Sequence, residues 1–392
     1  MPSGALEGIR VLDLGRIQAA PYCAAIMADL GADVIKVEQP GTGDDAREYL
    51  PRGTYFANFN RGKRGVTINL KTGKDVFLKL VETADVLVEN FRPGVMERLG
   101  LGYEELSKVN PGLVYCSISA FGQSGPYSQK AGFDPLLQAM TGIMSVTGFP
   151  DGDPVRAGIA VSDIMGGLNA AIGILAALRY REKTGKGQMV DISLADGAIS
   201  SMSSINQSYL TDREIRGRLG NAYGTGAPGG VYEASDGTFM YAGANDPAWA
   251  KVCSAMGRPE LITDPRYATR NDRAKNRAEV DAIMNEWTRQ HTVAENIEIF
   301  EGIKLSVGPI LNVEQVYNDP HFGKNGARPM FREMQHPELG TVEYTGPVVN
   351  LSETPAALQR PSPMLGEHND EIYSQIGYSP EDIMRFRSEG II

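Results

Sequence analysis

A chain of 392 residues with 42% hydrophobic and 22% charged content is too long for one simple core and too apolar for disorder, and it reads as a globular protein of two domains. Its formal net charge of −10 repels nucleic acid and anionic membrane surfaces, so an anionic ligand has to be met by a local basic pocket. The three cysteines, Cys23, Cys116 and Cys253, have the spacing of neither a zinc site nor a disulfide framework and fit a reducing, cytoplasmic setting. The first residues lack the basic and apolar stretches of a secretory signal. The longest apolar run, 168–178, is too short for a membrane span, so neither feature is expected.

The first part of the chain alternates strand and helix patterns. Residues 9–14 form a β-rich run, followed by a turn at 15–18 and apolar residues at helical spacing over 19–30, where Gly31 stops the helix. Residues 33–38, 65–70, 85–89 and 113–118 read as further strands, with a helix over 74–82. This alternation predicts an α/β fold, a Rossmann-like parallel sheet with helices on both faces and ligands beyond the carboxyl ends of the strands. Those ends carry residues 16–18, 38–41, 90–94 and 121–123. A small-residue helix follows at Asp163 and ends within 180–188. A glycine-rich loop at 224–230 then precedes a hairpin whose strands, 231–234 and 238–242, flank Ser235-Asp236-Gly237. Charged helical text runs to about Phe300, and the chain closes with a helix near 380–388. The expected partition is a large domain starting with 1–215, a smaller inserted α+β domain at 225–330, and a segment, 340–392, that returns to the large domain.

Asp163 heads the helix of small residues. A carboxylate in a first helical turn faces free N–H groups and the positive dipole end, which favours its ionised form. Shielded from water, it can attack an activated acyl carbon. The same position also suits an ordinary helix cap.

Other constellations are weighed in the same way. Glu38 at the end of the second strand imitates a dinucleotide site, but Gly15-Arg16-Ile17-Gln18-Ala19-Ala20 keeps only the first glycine of that fingerprint. Arg61, Lys63, Arg64, Lys71, Arg92, Arg98 and Lys130 are singly ordinary surface, and as a group near strand ends they can hold phosphates. Asp134 is either an acid near the site or a second cap. The four histidines have no metal-ligand spacing, and no serine-hydrolase elbow occurs.

Three motifs stand out: Gly31-Ala32-Asp33-Val34-Ile35-Lys36-Val37-Glu38, Val88-Glu89-Asn90-Phe91-Arg92-Pro93-Gly94 and Lys183-Thr184-Gly185-Lys186-Gly187-Gln188. In this order they make the chain similar to the class III coenzyme A transferase family (CaiB/BaiF type), a resemblance that extends from Leu6 to His368. It implies a nucleophilic Asp163 that passes through an aspartyl anhydride and an aspartyl-CoA thioester. It also implies that Arg16, Ile17, Gln18 and Ala19 cradle the acyl and pantetheine end, with Gln18 near the reacting carbonyl. Ile68, Lys71, Asn90, Phe91, Arg98 and Lys130 match CoA-contacting positions, and Gln39 stands where the family often carries arginine. Gly229 and Gly230 match a loop that closes over the intermediate. The resemblance further implies an interlocked, ring-like homodimer, CoA thioester as substrate rather than bound cofactor, and no metal.

The related racemases pair the aspartate with a histidine in the segment matching 132–134, where this chain has Phe133, so transfer is favoured over racemisation. The text at 152–161 looks nearest to the succinyl-CoA:dicarboxylate branch, with mesaconate, itaconate, citramalate or a glutarate-like acid as acceptor. Arg16 or Arg52 can meet the second carboxylate. Formyl-CoA:oxalate transfer and intramolecular transfer are the alternatives.

Overall fold

The computed structural model describes residues 4–50, 53–222, 224 and 226–392. The chain forms two units. One comprises Met1–Ile143, Arg156–Glu214 and Tyr317–Ile392, and the other Met144–Val155 and Ile215–Val316.

The first unit is built in the order β1 (Arg10–Asp13), α1 (Ala19–Asp29), β2 (Asp33–Glu38), α2 (Thr54–Asn60), β3 (Arg64–Thr67), α3 (Lys74–Glu82), β4 (Val86–Glu89), α4 (Val95–Arg98), α5 (Tyr103–Val109), β5 (Val114–Ser119) and α6 (Asp134–Met140). After α7 (Ile143–Val146) come α8 (Val161–Thr184), β6 (Met189–Ser193) and α9 (Leu194–Ser201). All six strands are parallel, in the order β3-β2-β1-β4-β5-β6. The order reverses between β1 and β4, which opens a crevice at the carboxyl ends of those two strands.

Alternate residues of each strand feed opposite faces. Val11, Val34, Val88 and Cys116 pack with α1 and α8, while Leu12, Ile35, Leu87 and Tyr115 pack with α3 and α5. Covered on both sides, the strands read as nearly continuous apolar runs. The C-terminal helices Asn369–Gln375 and Pro380–Ser388 complete the second face. The first of them docks on β3, where Thr67 N–H donates to Asn369 Oδ1 (2.9 Å) and Tyr373 Oη donates to the Thr67 carbonyl (2.6 Å).

By length and composition α8, at 24 residues, is sufficient to cross a membrane, longer than the run 168–178 suggested. In this structure it packs on α1, β5, β6 and α9 and buries Gly166, Gly167, Ala170 and Ile174.

The second unit carries the antiparallel strands β7 (Gly230–Glu233), β8 (Thr238–Tyr241) and β9 (Val307–Pro309). The helices Asp246–Ala255, Arg277–Thr288 and Val293–Gly302 supply the rest of a core around Phe239, Trp249 and Phe300. Its limits differ from the expected 225–330 in three places, the first being that its main segment begins at Ile215. Residues 144–155 join it because Arg218 donates to the carbonyls of Phe149, Pro150 and Gly152. The stretch 317–330 belongs to the first unit, where Tyr317 stacks on Phe331 (5.1 Å) and bonds Glu343 (2.7 Å) beside the hairpin β10 (Phe331–His336) and β11 (Gly340–Thr345).

Candidate active site

The turn after β1 is held from three sides. Arg16 N–H donates to Asn90 Oδ1 (2.7 Å) and the Asn90 amide donates back to the Arg16 carbonyl (2.9 Å), tying the ends of β1 and β4 together. Ile17 sits in the left-handed region at φ 65°, a costly place for a branched residue. Its N–H donates to both Asp44 oxygens (3.1 and 3.2 Å). Beneath, the fully buried Lys36 bridges Asp44 (3.0 Å) and the Gly15 carbonyl. Lys63 bonds Asp13 (2.7 Å), the Pro21 carbonyl (2.9 Å) and Asn60 (2.8 Å). Burial pushes the Asp44 carboxyl up, but the Lys36 charge and the amides of Ala46 and Ile17 outweigh it and hold it below the usual carboxylate range.

These contacts reassign part of the basic cluster. Lys63 with Asp13, Arg61 with Asp29 (2.7 Å) and Arg64 with Asp33 (2.6 Å) are internal pairs, not phosphate holders. Glu38 accepts from Asp44 N–H (2.9 Å) and twice from Arg47 (2.8 and 2.7 Å), so neither oxygen is left for a ribose. The dinucleotide reading fails on that carboxylate as well as on its glycines.

At the head of α8 the N-cap residue is Ala160, which offers no side-chain bond. Asp134 takes the capping role: its Oδ1 accepts from Ser162 N–H (2.8 Å) and its Oδ2 from Gln138 Nε2 (2.7 Å). Gln138 is itself fixed by the Ile159 carbonyl (3.1 Å) and Ala157 N–H (2.8 Å). Asp163, half-buried, accepts no hydrogen bond from the described residues and is not a cap. Burial first, then the charge of Asp134, pushes its carboxyl up to about 7. The expectation that the helix terminus keeps it fully ionised is therefore corrected, because desolvation outweighs a dipole whose Ser162 amide is already engaged.

Two adjoining hollows form one cleft at the switch point. The outer, of about 290 Å³ at the ends of β2 and β3, is lined by Gln39, Ile68, Lys71 and Phe91. The inner, of about 380 Å³, is lined by Arg16, Ile17, Gln18, Ala19, Asn90, Lys130 and Asp163. Arg16, Phe91 and Val95 line both. Such a shape suits a long ligand with a polar, anionic outer end and an inner end delivered to Asp163. Lys130 lies 3.7 Å from the Tyr127 ring centroid, and Arg16 is ion-paired with Asp45 (2.7 Å). Phe133 lines the inner hollow and no histidine does.

Of the remaining expected residues, Arg98 lines neither hollow and is exposed on α4, one turn from the lining residue Val95. Gly229 and Gly230 belong to the second unit, where Gly229 N–H donates to the Tyr232 hydroxyl (3.0 Å). Arg52 lies outside the described residues. The sequence reading missed Asp44, Asp45 and Tyr55. Tyr55 Oη donates to Gln18 Oε1 (2.6 Å) from 37 positions away, a separation at which no periodicity or motif spacing operates.

Comparison with known proteins identifies the family. The family described as CoA-transferase family III matches residues 6–369. The chain is 39% identical over 400 residues to the succinyl-CoA–D-citramalate CoA-transferase of Chloroflexus aurantiacus, covering all of this chain and 99% of that one. It is 37% identical to the human succinyl-CoA:glutarate CoA-transferase, covering 99% and 90%. A crystal structure of a CaiB/BaiF family protein from Brucella suis superposes with a TM-score of 0.86 at 37% identity, covering 96% of this chain and 100% of the other. The chain belongs to CoA-transferase family III and is a CoA-transferase.

Proposed function

We propose that the chain moves CoA from succinyl-CoA to a C4–C6 dicarboxylate of the mesaconate, itaconate, citramalate or glutarate type, with Asp163 as the nucleophile. The carboxylate oxygen attacks the thioester carbon and expels the CoA thiolate, giving a mixed anhydride. The thiolate then attacks the Asp163 carbonyl, releasing the donor acid and leaving an aspartyl-CoA thioester. The acceptor carboxylate attacks that thioester, and the expelled thiolate attacks the new acyl carbon, which restores the free carboxylate. The overall reaction replaces one thioester by another of similar energy, so the site's task is to position the groups and keep water from the more reactive anhydrides.

The observation that carries this reading is the Asp163 carboxyl, which lines the inner hollow with Gln18 and accepts no hydrogen bond from the described residues. A desolvated carboxylate is the better nucleophile, and apolar walls from Ile118, Ala120 and Leu194 disfavour hydrolysis of the intermediates. The Arg16–Asp45 pair supports a dicarboxylate. The guanidinium is already held for a carboxylate at the inner hollow, and the free end of the substrate can replace Asp45. Leu168, Ile172 and Leu175 on α8 are exposed, an apolar stripe that suits coverage by a second, interlocked copy. Gly229 and Gly230 are proposed to close over the intermediate.

The test is incubation with succinyl-CoA and each dicarboxylate, with products read by mass. Succinate and a new dicarboxyl-CoA should form in equal amounts, and hydroxylamine should convert Asp163 to its hydroxamate only when donor is present. Transfer at the normal rate by Asp163→Asn would refute the mechanism.

A further inference from the structure

We infer that Tyr55 is a positioning residue for the transfer reaction, which orients the Gln18 amide so that its N–H, and not its carbonyl, faces the acyl group. The inference rests on the reading of Asp163 as nucleophile and of Gln18 as a group at the reacting carbonyl. The side chain of Gln18 is an amide with two unlike ends. Only the Nε2 end can stabilise the oxygen that gains negative charge when Asp163 attacks. A carbonyl turned the same way would repel both that oxygen and the incoming carboxylate.

In the structure the Oε1 end of Gln18 is the one turned to the phenol. Tyr55 Oη donates to Gln18 Oε1 at 2.6 Å, and Nε2 has no partner among the described residues, although Gln18 lines the inner hollow. Ring contacts fix where the phenol oxygen of Tyr55 lies. Its ring is set between Tyr49 (5.7 Å between centroids) and Phe59 (5.1 Å), and Phe59 rests on Tyr22 (6.1 Å) in the helix that Gln18 begins. Tyr22 N–H in turn donates to the Gln18 carbonyl (2.7 Å). Burial and the nearby charge of Asp163 keep the phenol protonated, pushing it up to about 12, so Tyr55 stays a donor throughout the working pH range.

The experiment is a double-mutant cycle on the full chain with Tyr55→Phe, Gln18→Ala and the pair. Phenylalanine keeps the ring contacts and removes only the hydroxyl. Tyr55→Phe should lower kcat about tenfold with the KM for acyl-CoA within about twofold, and Gln18→Ala should lower kcat about a hundredfold, the size expected for one lost oxyanion donor. In the Gln18→Ala background Tyr55→Phe should have no further effect, because Tyr55 then has nothing to orient. An undiminished tenfold loss in that background would overturn the inference and make Tyr55 an independent contact. Normal turnover by Gln18→Ala would overturn it too. In either case Asp163→Asn decides separately whether the nucleophile is correctly placed, so the two failures are distinguishable.

Discussion

The backbone N–H of Ser162 donates to Asp134 Oδ1 at 2.8 Å, and that bond relieves the adjacent Asp163 of capping its own helix. A carboxylate used as a cap is held by amides and is a poor nucleophile. Here the capping is done by a residue from α6, and the group in the cleft is left unbonded.

Asp163→Asn should therefore separate activity from stability. Transfer should fall at least about a thousandfold, since the proposed nucleophile is lost. Stability should not fall, because the carboxyl bonds none of the described residues. The folded carboxyl titrates near 7 against an ordinary 3.8, so folding favours its protonated form. Its contribution is complete below about pH 4 and is lost as pH rises through about 7. Urea denaturation from pH 4 to 8 should show a shallower decline for the variant than for the wild type.

The same titration shapes activity. The nucleophile has to be ionised, so kcat/KM should rise to a plateau above about pH 7. Asp134→Asn removes the second of the two causes and should move this limb to lower pH without restoring the ordinary carboxylate value, because burial remains. A pH–rate profile of both proteins reads the shift. An unmoved limb would mean that Asp134 acts on Asp163 only through the helix.

Gly167→Ala is a substitution that helix propensity would favour by about 1 kcal/mol. The added Cβ would lie 2.8 Å from the Ala19 carbonyl and 2.9 Å from the Tyr22 ring, and overpacking of this kind costs about 1–3 kcal/mol. The carbonyl cannot retreat without moving the turn that carries Gln18. Both the thermal midpoint and kcat should fall, as calorimetry and initial rates would show.

Lys71 lines the outer hollow and its ammonium makes no ion pair among the described residues. Lys71→Ala should raise the KM for acyl-CoA about tenfold with kcat nearly unchanged, because a contact made equally in ground and transition states affects binding alone. Titration of CoA at two salt concentrations should show a weaker salt dependence for the variant.

Local text was enough for five of the six strands of the sheet, though not for β6 (Met189–Ser193), and for putting Asp163 forward as the candidate nucleophile. The runs at 33–38 and 85–89 are apolar, short and bounded by turn residues, and backbone sterics leave such runs few options. That Asp163, Gln18 and Asn90 share one site was legible from their places in recognisable motifs, and all three line the inner hollow. Tertiary structure alone decided how these groups behave. It assigned the cap of α8 to Asp134, 28 positions before Ser162, turned Arg61, Lys63 and Arg64 inward, and engaged both oxygens of Glu38. It also set Tyr55 against Gln18 and raised the Asp163 carboxyl to about 7. Secondary structure follows from sterics and periodicity within a few residues, whereas desolvation and ion pairing depend on which distant side chains share a site, and only the folded chain brings those together.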